Sequence, residues 1–258
     1  MKRSRFPFYI TLGVIVFFYL PIVMLVIHSF NASRFGGRWM GFSLKWYSQL
    51  FYHPEIWQSL ERTLVIGISA TGVSVVLGTL AGLALHFYGH TSLQKVHYVF
   101  IYTPLVVPDI LMGMSLLLFF VFLGIGLGLF TIFLAHVTFC ISYVAFVILS
   151  RLQDFDNSLL EAARDLGATS WQATWRVLIP HLMPAIVAGA LLAFTLSIDD
   201  FVISFFVAGP GATTLPIRIY SMIKHGSPPL INALSTLMLF VTFILIGVTQ
   251  RLIKEETP

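Results

Sequence analysis

Three acidic residues lie within long apolar stretches of the sequence: Asp109, Asp199 and Asp200. A charged side chain at the centre of a bilayer costs about 2.5–3.5 kcal/mol even on a lenient insertion scale, so such residues usually line a functional path. We find no basic residue at comparable depth to neutralise them, which favours a cation, or a polycation, as the species that passes. The alternative is that one or more acid is protonated, or bonded to backbone groups freed by nearby prolines.

The two adjacent acids are expected to point in different directions, because successive helical residues are about 100° apart. Ser197, Asp200 and Ser204 would share one face of a helix, and Thr195 and Asp199 would form the adjacent face. The sequence therefore predicts a polar stripe along an otherwise apolar helix.

The composition shows what kind of element carries these acids. Of 258 residues, 57% are hydrophobic and only 10% are charged, against about 25% charged in soluble domains. A chain in lipid must satisfy its backbone internally, so each apolar segment is predicted to be a helix. The predicted fold is all-α: one membrane domain over 1–258 with six transmembrane helices. The segments lie at 8–28, 60–86, 96–122, 129–149, 182–207 and 230–250.

The N-terminal apolar run follows Lys2, Arg3 and Arg5, as in a signal peptide. It is too long for one and lacks a small-residue cleavage site, so we interpret it as a retained first span. With both termini in the cytoplasm, nine of the 15 Lys and Arg residues fall on the inner side, a positive-inside bias. The inner segments are then 2–5, 87–95, 150–181 and 251–258. The net charge of +4 is scattered, so no nucleic-acid partner is expected.

Several residues inside or between the segments bear on packing and access. Pro104 and Pro108 predict a kink in the third segment. Gly78 and Gly82 form a small-xxx-small pair, which permits close helix contact but is common by chance. The loop 29–59, predicted to lie on the outer side, is rich in aromatic residues. It is either an interfacial aromatic belt or a cap over the entrance, in which Trp46 faces a cationic ligand. The eight histidines form no metal set; four are interpreted as lying at or near span ends, namely His28, His86, His136 and His181.

The segment 150–181 between the fourth and fifth spans has its own helix signals. Ser158 with Glu161 predicts a capping box, and Gly167 is placed to end the first helix in a left-handed conformation. A second capping box, Thr169 with Gln172, begins another short helix. We expect Pro180 to end that helix before the fifth span.

This segment is therefore predicted to form a compact helical knob with small residues, Ala162 and Ala163, exposed for docking into another protein. The run Glu161-Ala162-Ala163, followed by Gly167 and Ile179-Pro180, resembles the EAA loop of ATP-binding-cassette importer permeases. In that family the loop inserts into a cleft of the ATPase subunit. The resemblance implies that ATPase coupling involves Glu161, Ala162, Ala163, Gly167 and Pro180.

The chain has no Gly-x-x-x-x-Gly-Lys-Ser/Thr loop to cradle phosphate. If ATP drives it, a partner binds ATP and magnesium and hydrolyses the nucleotide. The chain is therefore not expected to be an enzyme or to hold a cofactor.

Motifs along nearly the whole chain resemble the spermidine/putrescine type of these permeases. They include Tyr19-Leu20-Pro21-Ile22, Trp46-Tyr47, Phe139-Cys140, Phe194-Thr195-Leu196-Ser197-Ile198-Asp199-Asp200 and Ile219-Tyr220-Ser221. The resemblance implies the type I importer fold in a bacterial inner membrane, and a polyamine as cargo. It implies as partners a sister permease, two copies of an ATP-binding subunit and a periplasmic polyamine-binding protein. The pathway residues that it implies are Trp46, Asp109, Ser197, Asp199 and Asp200.

The predicted mechanism is alternating access. A permease of the same class could instead move ferric iron, thiamine or an oxyanion, although acids in the path disfavour an oxyanion. An ion-coupled secondary transporter could also use buried carboxylates. It would not need the capped knob, and we find no inverted repeat.

Overall fold

Helices make up 82% of the chain in the computed structural model, which describes residues 6–34, 38–87, 92–226 and 228–255. The all-α prediction is confirmed, and no strand occurs within those ranges beyond one isolated bridge between Asn31 and Phe42. The helices are α1 (Phe6–Ser29), α2 (Lys45–Phe51), α3 (Pro54–Phe87), α4 (Ser92–Val106), α5 (Asp109–Phe122), α6 (Leu129–Gln153), α7 (Ser158–Asp165), α8 (Ser170–Ala173), α9 (Ile179–Asp199), α10 (Val202–Val207), α11 (Leu215–Lys224) and α12 (Pro228–Glu255). A π-helical segment, Thr174–Leu178, joins α8 to α9.

The chain divides into two units by its internal packing. One consists of Met1–Trp57 with Arg218–Pro258, and here α12 packs against α1 and α2. The other is Gln58–Ile217, where α6 packs against α4, α9 and α10. The prediction of a single domain over 1–258 stays a prediction.

The six apolar segments all correspond to helices. Among the described residues, four helices are long and apolar enough to span a membrane, and the bent pair α4–α5 makes a fifth if it counts as one span. The described apolar part of α12 is shorter, Pro229–Ile244. Six spans therefore stay a prediction. The N-terminal basic residues Lys2, Arg3 and Arg5 lie outside the described residues, so the predicted orientation also stays a prediction.

The third segment is broken rather than kinked. The axes of α4 and α5 differ by 116°, because Pro108 adopts an extended conformation, with φ −57° and ψ 138°. Proline has no N–H to continue the ladder and disfavours helix in the residue before it. The prediction of one kinked helix over 96–122 is therefore wrong, and Asp109 becomes the first residue of α5.

The fifth segment also differs from its prediction. The helix ends at Asp199, and Asp200 is extended, with ψ 119°, before α10 begins at Val202. The predicted continuous helix over 182–207 is thus wrong at its outer end. Pro180 does not end a helix either, since the chain is helical from Ser170 to Asp199. The wide π turn precedes Pro180, which then occupies the first turn of α9, where proline is tolerated.

Helix α3 packs closely on α6 at two glycines. A Cβ atom added at Gly78 would lie 2.7 Å from the Cβ of Val144, and one at Gly82 would lie 2.9 Å from Cγ2 of Ile148. The small-xxx-small pair therefore marks a real helix contact. It places α3 against the helix that carries the central core residues.

Gly78→Ala is expected to destabilise the protein by about 1–3 kcal/mol, the usual cost of forcing an extra carbon into a packed core. Thermal unfolding of the purified protein in detergent measures the loss. Gly72→Ala is the matched control on the same helix, because a Cβ there meets nothing within 4 Å. Equal unfolding temperatures for the two alanine variants would contradict the close contact.

Candidate functional site

The two helix breaks lie beside one cavity of about 270 Å³ in the unit Gln58–Ile217. A helix break leaves backbone groups without helical partners. The three predicted acids all line this cavity, together with aromatic and apolar side chains. The lining residues are Pro104, Asp109, Met112, Phe139, Tyr143, Thr195, Leu196, Asp199, Asp200, Phe201, Val202 and Ile203.

Two of the acids are exposed to the cavity. Asp109 lies in the first turn of α5, where the positive end of the helix dipole favours a carboxylate. Asp199 is the last residue of α9, where the negative end of the dipole adds to its own charge. The two exposed carboxylates, Asp109 and Asp199, therefore attract a cation to the cavity.

The third acid, Asp200, is bound into the wall. Its side chain is 9% exposed, and its Oδ1 accepts the backbone N–H of Ile203 at 3.2 Å. Its Oδ2 accepts the N–H of Ser204 at 2.7 Å. These are donors of the first turn of α10, which have no partner within the helix. Asp200 thus differs from the other two acids in having its oxygens already occupied.

A histidine that was predicted to lie near a span end completes this arrangement. His136 of α6 is 1% exposed, and its Nε2 lies 3.3 Å from Oδ2 of Asp200. Its Nδ1 lies 2.6 Å from Oγ of Ser197, and its Nε2 lies 2.9 Å from Oγ of Ser204. The predicted stripe of Ser197, Asp200 and Ser204 does converge, although around His136 and across a helix break.

Two expectations are therefore wrong: that no basic residue lies at the depth of the acids, and that His136 sits comfortably at a span end. The signal was available, since His136 stands inside the apolar segment 129–149. An ionisable residue in such a segment is by default a functional candidate, and histidine belongs in that count.

Aromatic rings supply a second attraction for a cation. Phe139, Tyr143 and Phe201 line the cavity with the acids, and ring faces attract ammonium groups by about 0.5–2 kcal/mol. Carboxylates and rings in one cavity suit an organic cation with an apolar body.

Trp46 belongs to the other unit, Met1–Trp57 with Arg218–Pro258. Trp46 is 7% exposed and donates its Nε1–H to the carbonyl of Asn31 at 2.7 Å. The ammonium of Lys45 lies 4.4 Å from its ring centroid, so the protein's own cation occupies that face. Trp46 lines another cavity of about 640 Å³, within the other unit, together with basic Arg34, Lys45, His53 and His225. Its place in the pathway stays a prediction.

The loop 150–181 forms the predicted knob. Gly167 has φ +87°, the left-handed conformation that favours glycine. Its N–H donates to the carbonyl of Arg164 at 2.9 Å, and that of Ala168 donates to Ala163 at 3.0 Å. This pair of bonds is a Schellman motif, which closes α7. The predicted role of Gly167 as a helix terminator is confirmed.

One of the two predicted capping boxes forms. Thr169 and Gln172 exchange their bonds, with the Thr169 N–H donating to Oε1 of Gln172 at 2.9 Å and the Gln172 N–H donating to Oγ1 of Thr169 at 3.3 Å. The box predicted for Ser158 is wrong, because α7 begins at Ser158 itself. Asp156 accepts the Ser158 N–H instead, at 2.9 Å, and this bond lowers the pKa of the Asp156 carboxyl.

The knob has an inner and an outer face. Glu161 and Ala162 are exposed, and Leu166 and Trp171 are 90% and 70% exposed. Ala163 is half-buried and packs on the core, so its predicted exposure is wrong. It shares a face with the buried Leu160 three residues earlier, as helical spacing requires. Large apolar side chains and an acid are thus exposed on the outer face of the knob.

Apolar helices, an acidic cavity at two helix breaks and a capped knob with an exposed face define the membrane-spanning subunit of a transporter. The sequence matches the family described as "Binding-protein-dependent transport system inner membrane component" over residues 74–254. The chain belongs to this family of ATP-binding-cassette importer permeases, and the resemblance noted in the sequence is confirmed. It is a multi-pass inner-membrane protein and not an enzyme, since ATP hydrolysis in this class belongs to a partner subunit.

Relatives with assigned names cover nearly all of the chain. It is 45% identical over 243 residues to the Escherichia coli K12 "Putrescine transport system permease protein PotI", covering 92% of this chain and 86% of that one. It is 38% identical over 245 residues to "Spermidine/putrescine transport system permease protein PotC" of the same strain, covering 95% and 92%. The Haemophilus influenzae PotC is 40% identical, with 94% of each chain covered.

Solved structures agree on the fold. A bacterial ABC transporter that imports the acidic polysaccharide alginate has a chain with a TM-score of 0.73 and 17% identity, covering 97% of this chain and 98% of that chain. The MetNI methionine ABC transporter gives a TM-score of 0.66 and 19% identity, covering 80% and 99%. The type I importer fold is confirmed.

Proposed function

We propose that this chain is one of two permease subunits of an importer that carries polyamines, spermidine or putrescine, across the inner membrane. The observation that supports this cargo best is the cavity in which Asp109 and Asp199 are exposed beside aromatic rings. The names of the PotI and PotC relatives agree with it.

The cavity suits the chemistry of a polyamine. Ammonium groups would pair with the carboxylates of Asp109 and Asp199, and charge-assisted hydrogen bonds of this kind are about twice as strong as neutral ones. The methylene chain between the ammonium groups would contact apolar walls such as Met112 and Phe139. A small inorganic cation would gain nothing from those walls. An oxyanion would be repelled by the acids.

Transport would proceed by alternating access in an assembly of several chains. The proposed partners are a sister permease, two copies of an ATP-binding subunit that bind ATP and magnesium, and a periplasmic polyamine-binding protein. With both termini in the cytoplasm, the knob at 150–181 would meet the ATP-binding subunits. Their closure would then rock the helices that carry the acidic cavity.

Uptake by the reconstituted assembly tests the cargo. Proteoliposomes that hold this chain with its proposed partners are expected to accumulate radiolabelled putrescine or spermidine when ATP is inside. An ATP-binding subunit with a disabled phosphate loop is the control for energy coupling. Thiamine and ferric iron are offered in parallel, and uptake of either one without uptake of a polyamine would contradict the proposal.

A further inference from the structure

We propose that His136 is a positioning residue of the transport path, whose imidazole holds together the two helices that meet at the break beside Asp200. One ring nitrogen contacts Ser197 of α9 at 2.6 Å, and the other contacts Ser204 of α10 at 2.9 Å. The inference concerns the proposed path, and only its uptake measurement rests on the proposed function.

The ring's hydrogen-bond direction follows from its neighbours. An ionised carboxylate only accepts hydrogen bonds, so the Nε2 that faces Oδ2 of Asp200 at 3.3 Å carries a hydrogen. This Nε2–H is shared between Asp200 and Ser204. Nδ1 meets the hydroxyl of Ser197, which can donate or accept. His136 therefore contacts the last turns of α9, the break itself and the first turn of α10.

Helix α10 depends on such contacts because it has only six residues. Helices this short are not stable in isolation and are held by packing. Its far end is bound to α6 as well, since Oγ1 of Thr131 donates to the carbonyl of Val207 at 2.8 Å. Thus α6 holds α10 at both ends, through His136 and Thr131.

The break that His136 holds also places the acids of the cavity. Asp199 ends α9 directly before it, and Asp200 spans it while accepting the amides of Ile203 and Ser204. If the ring is lost, the first turn of α10 is released, Asp200 gains freedom, and Asp199 is no longer presented in one direction. His136 need not touch the cargo to act in this way.

Hydrogen exchange in the assembled, reconstituted complex tests the contact directly. His136→Met fills the space with an apolar side chain but donates no hydrogen bond. In this variant we expect the amides of Ile203 and Ser204 to exchange faster by about tenfold or more. Their exchange requires local opening of the first turn of α10, which the lost contacts would make easier. Thr138→Ala is the control on the same helix, since Thr138 is exposed and its hydroxyl donates to Leu134 of its own helix.

Uptake per ATP hydrolysed separates positioning from simple filling of the core. The amide of glutamine can replace Nε2 towards Ser204 and Asp200, whereas that of asparagine can replace only Nδ1 towards Ser197. We expect uptake per ATP hydrolysed to decrease in the order wild type, His136→Gln, His136→Asn, His136→Met. In His136→Met it should be lower by about tenfold or more, because small displacements of functional groups cause losses of this size. Basal ATPase activity and complex yield should hardly change.

Unchanged amide exchange and wild-type uptake in His136→Met would overturn the inference and leave His136 as a core residue. If His136→Met does not assemble, His136→Asn decides, because it keeps only the contact to Ser197: faster exchange at Ile203 and Ser204 than in His136→Gln supports the proposal, and wild-type exchange at both overturns it. Exchange needs no cargo, so it is independent of the proposed function. A wild-type complex that moves no polyamine would refute the cargo alone.

Discussion

Glu161→Lys is expected to abolish transport while the chain still inserts into the membrane. Glu161 is exposed on the outer face of the knob, beside Ala162. If this face docks into the ATP-binding subunit, the reversed charge lies at a buried interface, where losing a paired charge costs about 2–5 kcal/mol. Uptake should therefore fall by about 30-fold or more, at 1.4 kcal/mol for each tenfold. Uptake by proteoliposomes and membrane-fraction immunoblotting measure the two effects.

Asp154→Lys is the matched control for Glu161→Lys. It makes the same change of charge in the same segment, 150–181, at an exposed position directly after α6. It should retain most of the uptake. Unchanged transport in Glu161→Lys would refute the docking assignment, and equal losses in both variants would attribute the effect to the charge of the whole loop.

Neutralising the acids of the cavity should stop cargo without uncoupling the ATPase. Asp199→Asn keeps the shape of the side chain and removes the charge at the C-terminal end of α9. A charge-assisted hydrogen bond contributes about 1.5–3 kcal/mol, so uptake should fall by about 10- to 100-fold. Adding Asp109→Asn should deepen the loss. Stimulation of ATP hydrolysis by the loaded binding protein should persist, because the knob is untouched.

Asp200→Asn should differ from Asp199→Asn, because the Asp200 carboxylate accepts the amides of Ile203 and Ser204. It should lower the unfolding temperature as well as uptake, since one side-chain nitrogen replaces an acceptor. Asp165→Asn, an exposed acid on the knob, is the control for a change of net charge. Normal uptake in the combined Asp199→Asn and Asp200→Asn protein would refute the cation path.

Local sequence patterns predicted the local features of the fold. The apolar segments became helices because lipid leaves a backbone no other partner. Gly167 ended α7, and Thr169 with Gln172 capped the next helix, because these bonds join residues within a few positions of each other. The Glu161-Ala162-Ala163 run and its spacing to Gly167 identified the family for the same reason, since the knob is built from one short segment.

Where the prolines bent the chain, the sequence located the disturbance but not its size. Pro104 and Pro108 predicted a kink, and the observed 116° turn is a complete break. Pro180 was expected to end a helix. Instead, the π-helical segment Thr174–Leu178 precedes it, and the chain stays helical through Pro180. Whether a proline causes a kink, a complete break or a π-helical segment depends on how neighbouring helices pack around it. The local sequence does not determine that packing.

The sequence by itself determined that this chain is an all-helical membrane permease with acids in its apolar segments and a capped helical knob. Only the tertiary structure decided which acids are free. Asp109 and Asp199 face the cavity, whereas Asp200 is held by His136, a residue that contacts Ser197 and Ser204 from 61 and 68 positions away. Side chains so far apart in sequence meet only because α6 packs against α9 and α10, so no local pattern could pair them.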